Sequence, residues 1–493
     1  MGTQLEKDQT VTITKSVSVC PKYLHPQKVL NLSNLDRQCP SLMYTVSFYK
    51  PSPSYKDLSL DFVFNSLKSG LEDTLSVWYP AAGRLCLNQN DGKLDLWCNN
   101  KGAVLVEAVT QIKISDLGDL SQYNKFFEKL VYKPHSFGNF SQMPLVVAQV
   151  TKFGCGGYSI GIGVSHSLFD GPATHDFLYA WASNSAIMEG KGRVEQQKPL
   201  HERGSTLLVV TNCPAPNMTT KLSEKSSSSR KRAAAIDHLY QLIMQAATDQ
   251  SLSDVGYMNQ NSYLLRTFHL SSAMIQSLKR KVSGKRGGSF SCSSFEVVAA
   301  HLWKASRWVF VNINYANKLP ILITRSQLAR SRALGLRRET MVCLQFSVDV
   351  RNRMVPPLPK GFSGNAYVLA SIAMTAGALE GESHERIVEK IREAKNSISN
   401  EYVYAYVEAL EGPRPSDLPP LKELTMLSDW TRMPFHKIPF LHGEAAYASP
   451  LVSPVPQVAY FMQNPDDDKS IDLRIGLLPH SLKSFSQYFL NVQ

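Results

Sequence analysis

A chain of 493 residues, 43% hydrophobic and 19% charged, has the composition of a globular protein with a sizeable buried core, which excludes global disorder. Its formal charge of +12 suits nucleic acid, an anionic surface or a phosphorylated cofactor. The basic runs at 230–232, 279–281 and 285–286 have no interleaved aromatics and no nucleic-acid-binding signature beside them, so nucleic acid is not an expected partner.

In chain order, residues 41–49 read as a strand and 58–79 carry apolar residues at helical spacing. Two β-like runs, 144–152 and 158–166, flank the glycine-rich F-G-C-G-G at 153–157 and read as a hairpin. Asp170-Gly171-Pro172 then gives a helix start, with the helix expected over 173–187. Ser, Thr and Lys dominate 214–232, which reads as a crossover linker between a domain over 1–213 and a second over 233–493. A helix is expected at 233–249, followed by mixed helices and strands. No βαβ cadence or internal repeat is evident, so the expected fold class is α/β of the α+β kind with mixed sheets.

Eight cysteines lie scattered without a C-x-x-C pair, as reduced cytoplasmic thiols would. No apolar run approaches the roughly 18 residues of a transmembrane helix, and the first residues carry no apolar leader. The expected localisation is cytoplasmic, with association to the cytosolic face of the endoplasmic reticulum left open. No metal-ligand spacing is present, and no bound cofactor is expected.

The chemistry concentrates at S-H-S-L-F-D-G, residues 165–171. His166 ends a strand, and an imidazole is the side chain whose ordinary pKa suits base catalysis near neutrality. Asp170 either orients that ring or caps the following helix and pairs with an arginine; the tight turn points the two side chains apart and favours the cap. A histidine at a strand end is more often structural, and H-x-x-x-D also arises by chance. Rival motifs fail. Residues 361–365, G-F-S-G-N, miss the last glycine of G-x-S-x-G; Gly284-Lys285 is followed by Arg286, not Ser or Thr; and Gly161-Ile162-Gly163 lacks the third dinucleotide glycine. The residues alone leave a base-catalysed transfer or nothing identifiable.

Several motifs in order resemble the plant BAHD acyltransferases along nearly the whole chain. They are Y-P-A-A-G-R-L at 79–85, Q-V-T at 149–151, the hairpin with 165–171, S-F-E at 294–296, A-H-L-W at 300–303, V-D-V-R-N-R at 348–353, P-P-L-P at 356–359 and G-N at 364–365. N-L-D-R-Q-C-P at 34–40, S-V-W-Y at 76–79, S-G-N-A-Y-V at 363–368 and S-D-W-T at 428–431 resemble its brassinosteroid-related branch. The resemblance implies two chloramphenicol-acetyltransferase-like domains, with residues near 430–450 packing back on the first, and a channel between the domains that admits CoA from one face and acceptor from the other. It implies a monomer using acyl-CoA as co-substrate and a small-molecule alcohol as acceptor. His166 would take the acceptor's proton as the acceptor attacks the thioester, without a covalent intermediate. The cationic balance would serve the phosphates of CoA, with Ser294, Lys285 and Arg286 as binding candidates.

The chain departs from that family twice. The motif D-F-G-W-G falls on P-F-L-H-G at 439–443. Its aspartate would pair with Arg351 or Arg353, so that arginine needs another carboxylate, Glu444 being the nearest in sequence. His442 replaces the family's tryptophan; His442, Gly443, Trp430 and Ser428 are the oxyanion or channel candidates. Residues 306–331 also intervene where the family runs on directly, with apolar stretches at 308–313 and 319–323. They read as a retained intron or an extra surface hairpin. For the acceptor, alternate residues of the strand at 41–49 contribute Met43, Thr45 and Ser47, with no cation to hold an acid. That suits a bulky, weakly polar alcohol such as a steroid polyol. The competing functions are an N-acyltransferase acting on amines and a non-catalytic accessory protein with the same fold.

Overall fold

The computed structural model describes residues 10–39, 41–53, 58–134, 141–185, 198–203, 263–283, 291–316, 338–410, 424–441, 443–451 and 458–492. The chain divides into two compact units. The first comprises Met1–Ala215, Met354–Tyr367 and Met433–Val452; the second comprises Pro216–Arg353, Val368–Arg432 and Ser453–Gln493. The linker at 214–232 and the helix expected at 233–249 lie outside the described residues.

The elements begin with β1 (Thr12–Val19), β2 (Lys28–Leu30), α1 (Asn34–Arg37), β3 (Leu42–Tyr49), α2 (Leu60–Val77), β4 (Arg84–Leu87), β5 (Leu94–Cys98), β6 (Ala103–Thr110), β7 (Val146–Phe153), β8 (Tyr158–Ser165) and α3 (Gly171–Asn184). They continue with β9 (Leu264–Leu270), α4 (Ser272–Ser283), α5 (Ser294–Ala316), β10 (Met341–Asp349), β11 (Tyr367–Thr375), α6 (Ala376–Gly381), α7 (His384–Asn396) and α8 (Asn400–Ala409). The last are β12 (Leu424–Asp429), β13 (Tyr447–Leu451), β14 (Val458–Gln463), β15 (Ile471–Leu477) and α9 (Leu482–Leu490).

The first unit is built on a six-stranded sheet of order β1-β6-β7-β8-β3-β13, with a small β2-β5-β4 sheet beside it. Only the β6–β7 pair of the large sheet is parallel; the other neighbours run antiparallel. The expected hairpin is β7 and β8. Gly161 and Gly163, which spoil a dinucleotide motif, have a packing reason. A Cβ at Gly161 would sit 2.0 Å from the Leu130 carbonyl oxygen, and one at Gly163 would sit 2.6 Å from the Tyr44 ring. The face they share carries Val46, Phe48, Phe127 and Leu130 in one apolar cluster.

Helix α2 starts because the Ser59 hydroxyl accepts from the Phe62 amide. It buries Val63, Phe64, Leu67, Leu71 and Leu75, the recurring positions of one helical face. Burying each such side chain contributes about 1.5–3 kcal/mol. Trp181 of α3 ties the two helices by donating its indole N–H to the Leu67 carbonyl at 2.8 Å.

The second unit has a six-stranded sheet, β11-β10-β12-β14-β15-β9, in which β10, β12 and β14 run parallel. Its long α5 buries Val297, Val298, Leu302 and Trp303. A capping box opens it: the Glu296 amide donates to the Ser293 hydroxyl at 3.2 Å, and the Ser293 amide donates to Glu296 Oε2 at 3.1 Å. Arg392 and Lys395 of α7 pair with the same carboxylate. The run at 308–313, read as part of a retained intron or of an extra surface hairpin, is the continuation of α5. The rest of that insert, 317–331, lies outside the described residues.

Candidate active site

His166 follows the last residue of β8 and extends its pairing by one step, donating its amide to the Ser41 carbonyl at 2.9 Å. The chain then closes a turn in which the Leu168 and Phe169 amides reach back to the Ser165 carbonyl at 2.9 and 3.3 Å. Asp170, 4% exposed, ends the turn. Its Oδ1 accepts from the Ala173 amide at 3.2 Å, the N-cap bond of α3. Its Oδ2 accepts from the Ala366 amide at 3.0 Å. The aspartate therefore ties the turn to the helix and to the 354–367 segment. Its arginine neighbour is Arg203, whose charge Asp170 helps to hold.

The His166 ring stands edge-on to Tyr367, with centroids 5.7 Å apart. The residue is half-buried, and its Nδ1 is sealed from solvent. Nδ1 makes no hydrogen bond of good geometry, although the histidine's own carbonyl and the Asn365 side chain are near enough to favour a protonated ring. Burial outweighs them, together with the fields of Asp170 and Asp36, and pushes the pKa below the ordinary histidine value. The imidazole is thus neutral at neutral pH, the form that can take a proton.

A buried polar cluster that sequence reasoning missed lies around this turn. Asn365 donates its amide N–H to Asp36 Oδ1 at 2.9 Å, and its side-chain NH₂ donates both to that oxygen at 2.9 Å and to the His166 carbonyl at 2.8 Å. Asp36, fully buried, takes the Ser33 amide and hydroxyl on Oδ2 at 3.0 and 2.7 Å. Arg203 Nη1 lies 3.8 Å from Asp36 Oδ1 and donates to the Ser167 carbonyl at 3.3 Å. Burial lowers the Arg203 pKa, and Asp36 chiefly opposes that. The segments at 34–40 and 363–368 carried the family resemblance, but no local pattern marks Asp36, Arg203 or Asn365 as neighbours.

Met43, Thr45 and Ser47 of β3 lie opposite the face of the Val46–Phe48 cluster. Met43 pairs with Val164, Thr45 with Ile162 and Ser47 with Ile160, so the three share the face of the row that His166 continues. Gly443, in the first unit, has φ +117°, a backbone that strains any side chain. His442 lies outside the described residues.

In the second unit, Trp430 donates its indole N–H to Ser428 Oγ at 3.0 Å, so that donor is engaged within its own strand end. Arg351 pairs with Asp349, 3.5 Å away, and Arg353 donates to the Lys395 carbonyl at 3.0 Å. Ser294 stands in the first turn of α5, while Lys285 and Arg286 lie outside the described residues. Among the described residues no group of three His, Cys, Asp or Glu could hold a metal, and no helix is long and apolar enough to cross a membrane.

Comparison with known proteins completes the picture. The chain is 49% identical to "Brassinosteroid-related acyltransferase 1" of Arabidopsis thaliana, covering 98% of each chain. It is 26% identical to the "Omega-hydroxypalmitate O-feruloyl transferase" of the same plant, covering 94% of this chain and 88% of that one. Among solved structures it resembles vinorine synthase, with a TM-score of 0.65 at 19% identity over 96% of each chain. It also resembles F. sporotrichioides TRI101 complexed with coenzyme A and T-2, with a TM-score of 0.63 at 14% identity, covering 93% and 97%. These two likenesses establish the mixed two-sheet α/β fold. A sequence profile of the Transferase family matches residues 9–491, and the chain accordingly belongs to that family, the BAHD acyl-CoA-dependent acyltransferases.

Proposed function

We propose that this chain transfers an acyl group from acyl-CoA to a hydroxyl of a brassinosteroid-type steroid, with His166 as general base. The observation that carries the reading is the half-buried histidine at the end of β8 with Nδ1 sealed inside the protein; burial lowering its pKa agrees with that. The acceptor oxygen attacks the thioester carbonyl while His166 takes its proton. As the C–S bond breaks, the imidazolium returns the proton to the CoA thiolate, so the ring ends as it began. Asp170 contributes by holding the turn rather than by touching the ring.

The acceptor class rests on two supports. The relative at 49% identity is named for brassinosteroids. Met43, Thr45 and Ser47 bring thioether, methyl and hydroxyl groups, and no charge, to the face that His166 continues. In the same proposal Ser294, Lys285 and Arg286 meet the phosphates of CoA, and His442 and Gly443 stand at the developing oxyanion. The protein would act as a cytoplasmic monomer, in keeping with the seven free cysteines among the described residues.

A product screen tests this reading: purified protein with a panel of acyl-CoAs, offered steroid polyols, shikimate and spermidine. Steroid esters are expected, and His166→Ala should lower kcat by about 10²–10⁴-fold. Efficient acylation of shikimate or spermidine with steroids untouched would overturn the acceptor. Undiminished turnover by His166→Ala would overturn the base.

A further inference from the structure

Asn365 is 199 residues from His166 in sequence yet donates to its main-chain carbonyl. We propose that Asn365, held in place by Asp36, is a positioning residue that fixes the ring of His166 through the histidine's own carbonyl. The proposal deepens the general-base reading above and rests on it.

The hydrogens of the Asn365 amide fix its orientation. An amide NH₂ has two, and Asn365 sends one to Asp36 Oδ1 at 2.9 Å and the other to the His166 carbonyl at 2.8 Å. A carbonyl and a carboxylate only accept, so chemistry alone decides which end of the amide faces them. Asp36 is itself immobile: Oδ1 also takes the Asn365 main-chain N–H at 2.9 Å, and Oδ2 takes both Ser33 donors. Asp36 and Asn365 are both 0% exposed, so little competing water reaches these bonds. The chain from Ser33 through Asp36 and Asn365 to the His166 carbonyl is therefore continuous and dry, while Asn365 Oδ1 itself makes no hydrogen bond among the described residues.

That carbonyl matters because it is one of the groups that favour a proton on the ring, whose Nδ1 is sealed from solvent. With the carbonyl fixed, an oxygen stays close to the sealed Nδ1, which favours the Nδ1–H tautomer and leaves the lone pair on Nε2, where an acceptor hydroxyl needs it. Released from Asn365, the peptide after His166 can rotate and the ring loses both its tautomer and its aim. Among the described residues, the Asp36 and Asp170 carboxylates and the Tyr367 ring also act on the imidazole, with Arg203 beside Asp36.

Two readouts on the full-length protein test this. Diethyl pyrocarbonate modifies neutral imidazole, so mass spectrometry of the His166 peptide across pH 5–8 reports how readily that ring gives its lone pair. Turnover is measured in parallel. Asn365→Ala should keep KM for acyl-CoA within a few-fold, lower kcat about 10–100-fold, and move the His166 modification midpoint to lower pH. Asn365→Asp has the same shape but sets a carboxylate against Asp36, and should lose at least as much turnover. A folded Asn365→Ala with unchanged kcat and an unchanged midpoint would overturn the proposal. If Asn365→Ala does not fold, Ser33→Ala loosens Asp36 from its other oxygen. It should move the midpoint the same way by less, and no movement there would also overturn it. If His166→Ala stays active while the Asn365 variants still shift the midpoint, the base assignment fails and the positioning stands.

Discussion

Asp170 places one backbone N–H on each carboxylate oxygen, and the two amides belong to segments far apart in the chain. Removing the side chain costs the helix cap, worth about 1 kcal/mol. It also leaves the buried Ala366 amide unpaired, worth about 1–3 kcal/mol. Asp170→Ala should therefore lower both the melting temperature and turnover. Asp170→Asn retains one acceptor but presents an NH₂ to the other amide, and should recover little of either. Thermal denaturation beside kinetics checks this, and an Asp170→Ala protein of native stability would refute it. His166 and the turn were readable because one contiguous motif, residues 165–171, carries them. Asp36, Arg203 and Asn365 were not, since a single buried aspartate, arginine or asparagine has no period and its partners lie hundreds of residues away.

At the scale of elements, strong patterns translated directly. Strands β3, β7 and β8 and helix α2 lie within about two residues of their expected spans, because alternation, a serine cap and glycine turns all agree there. The apolar run at 308–313 misled because β-branched residues suggest a strand. Yet no glycine or proline interrupts Ser294–Ala316, so nothing stops the helix already begun.

Helix α5 also carries a tautomeric clamp. His301 Nε2 lies 3.0 Å from the Phe489 carbonyl and must donate to it, so His301 Nδ1 accepts from His384 Nε2 at 3.2 Å. Burial lowers the two pKa values to about 4 for His301 and about 3 for His384. Between those values and the unfolded histidine range near 6.5 the unfolded chain binds more protons, so stability rises with pH. Acidification from pH 6.5 toward 4 should lower the melting temperature. His384→Gln keeps a donor toward His301 without titrating, and should flatten that slope. An equal slope in the variant would contradict the clamp.

At the scale of the whole molecule, the first unit is discontinuous in sequence. Its sheet is completed by β13, whose Tyr447 pairs with Phe48, and its turn at 165–171 is held by Asn365. Neither fact is written in the local pattern of residues 1–213, which reads as a domain in its own right. A fragment ending at Ala215 should therefore lack a cooperative unfolding transition, as calorimetry would show; a sharp transition near that of the full chain would disprove it. The same wiring sets an order of events during synthesis. Until Tyr447 leaves the ribosome, β3 is the open edge of a sheet, able to pair with any passing strand. Long-range closure of this kind is slow and leaves intermediates exposed. A chain truncated anywhere before β13 keeps β3 as an unpaired edge, so it is expected to aggregate rather than to retain half the activity.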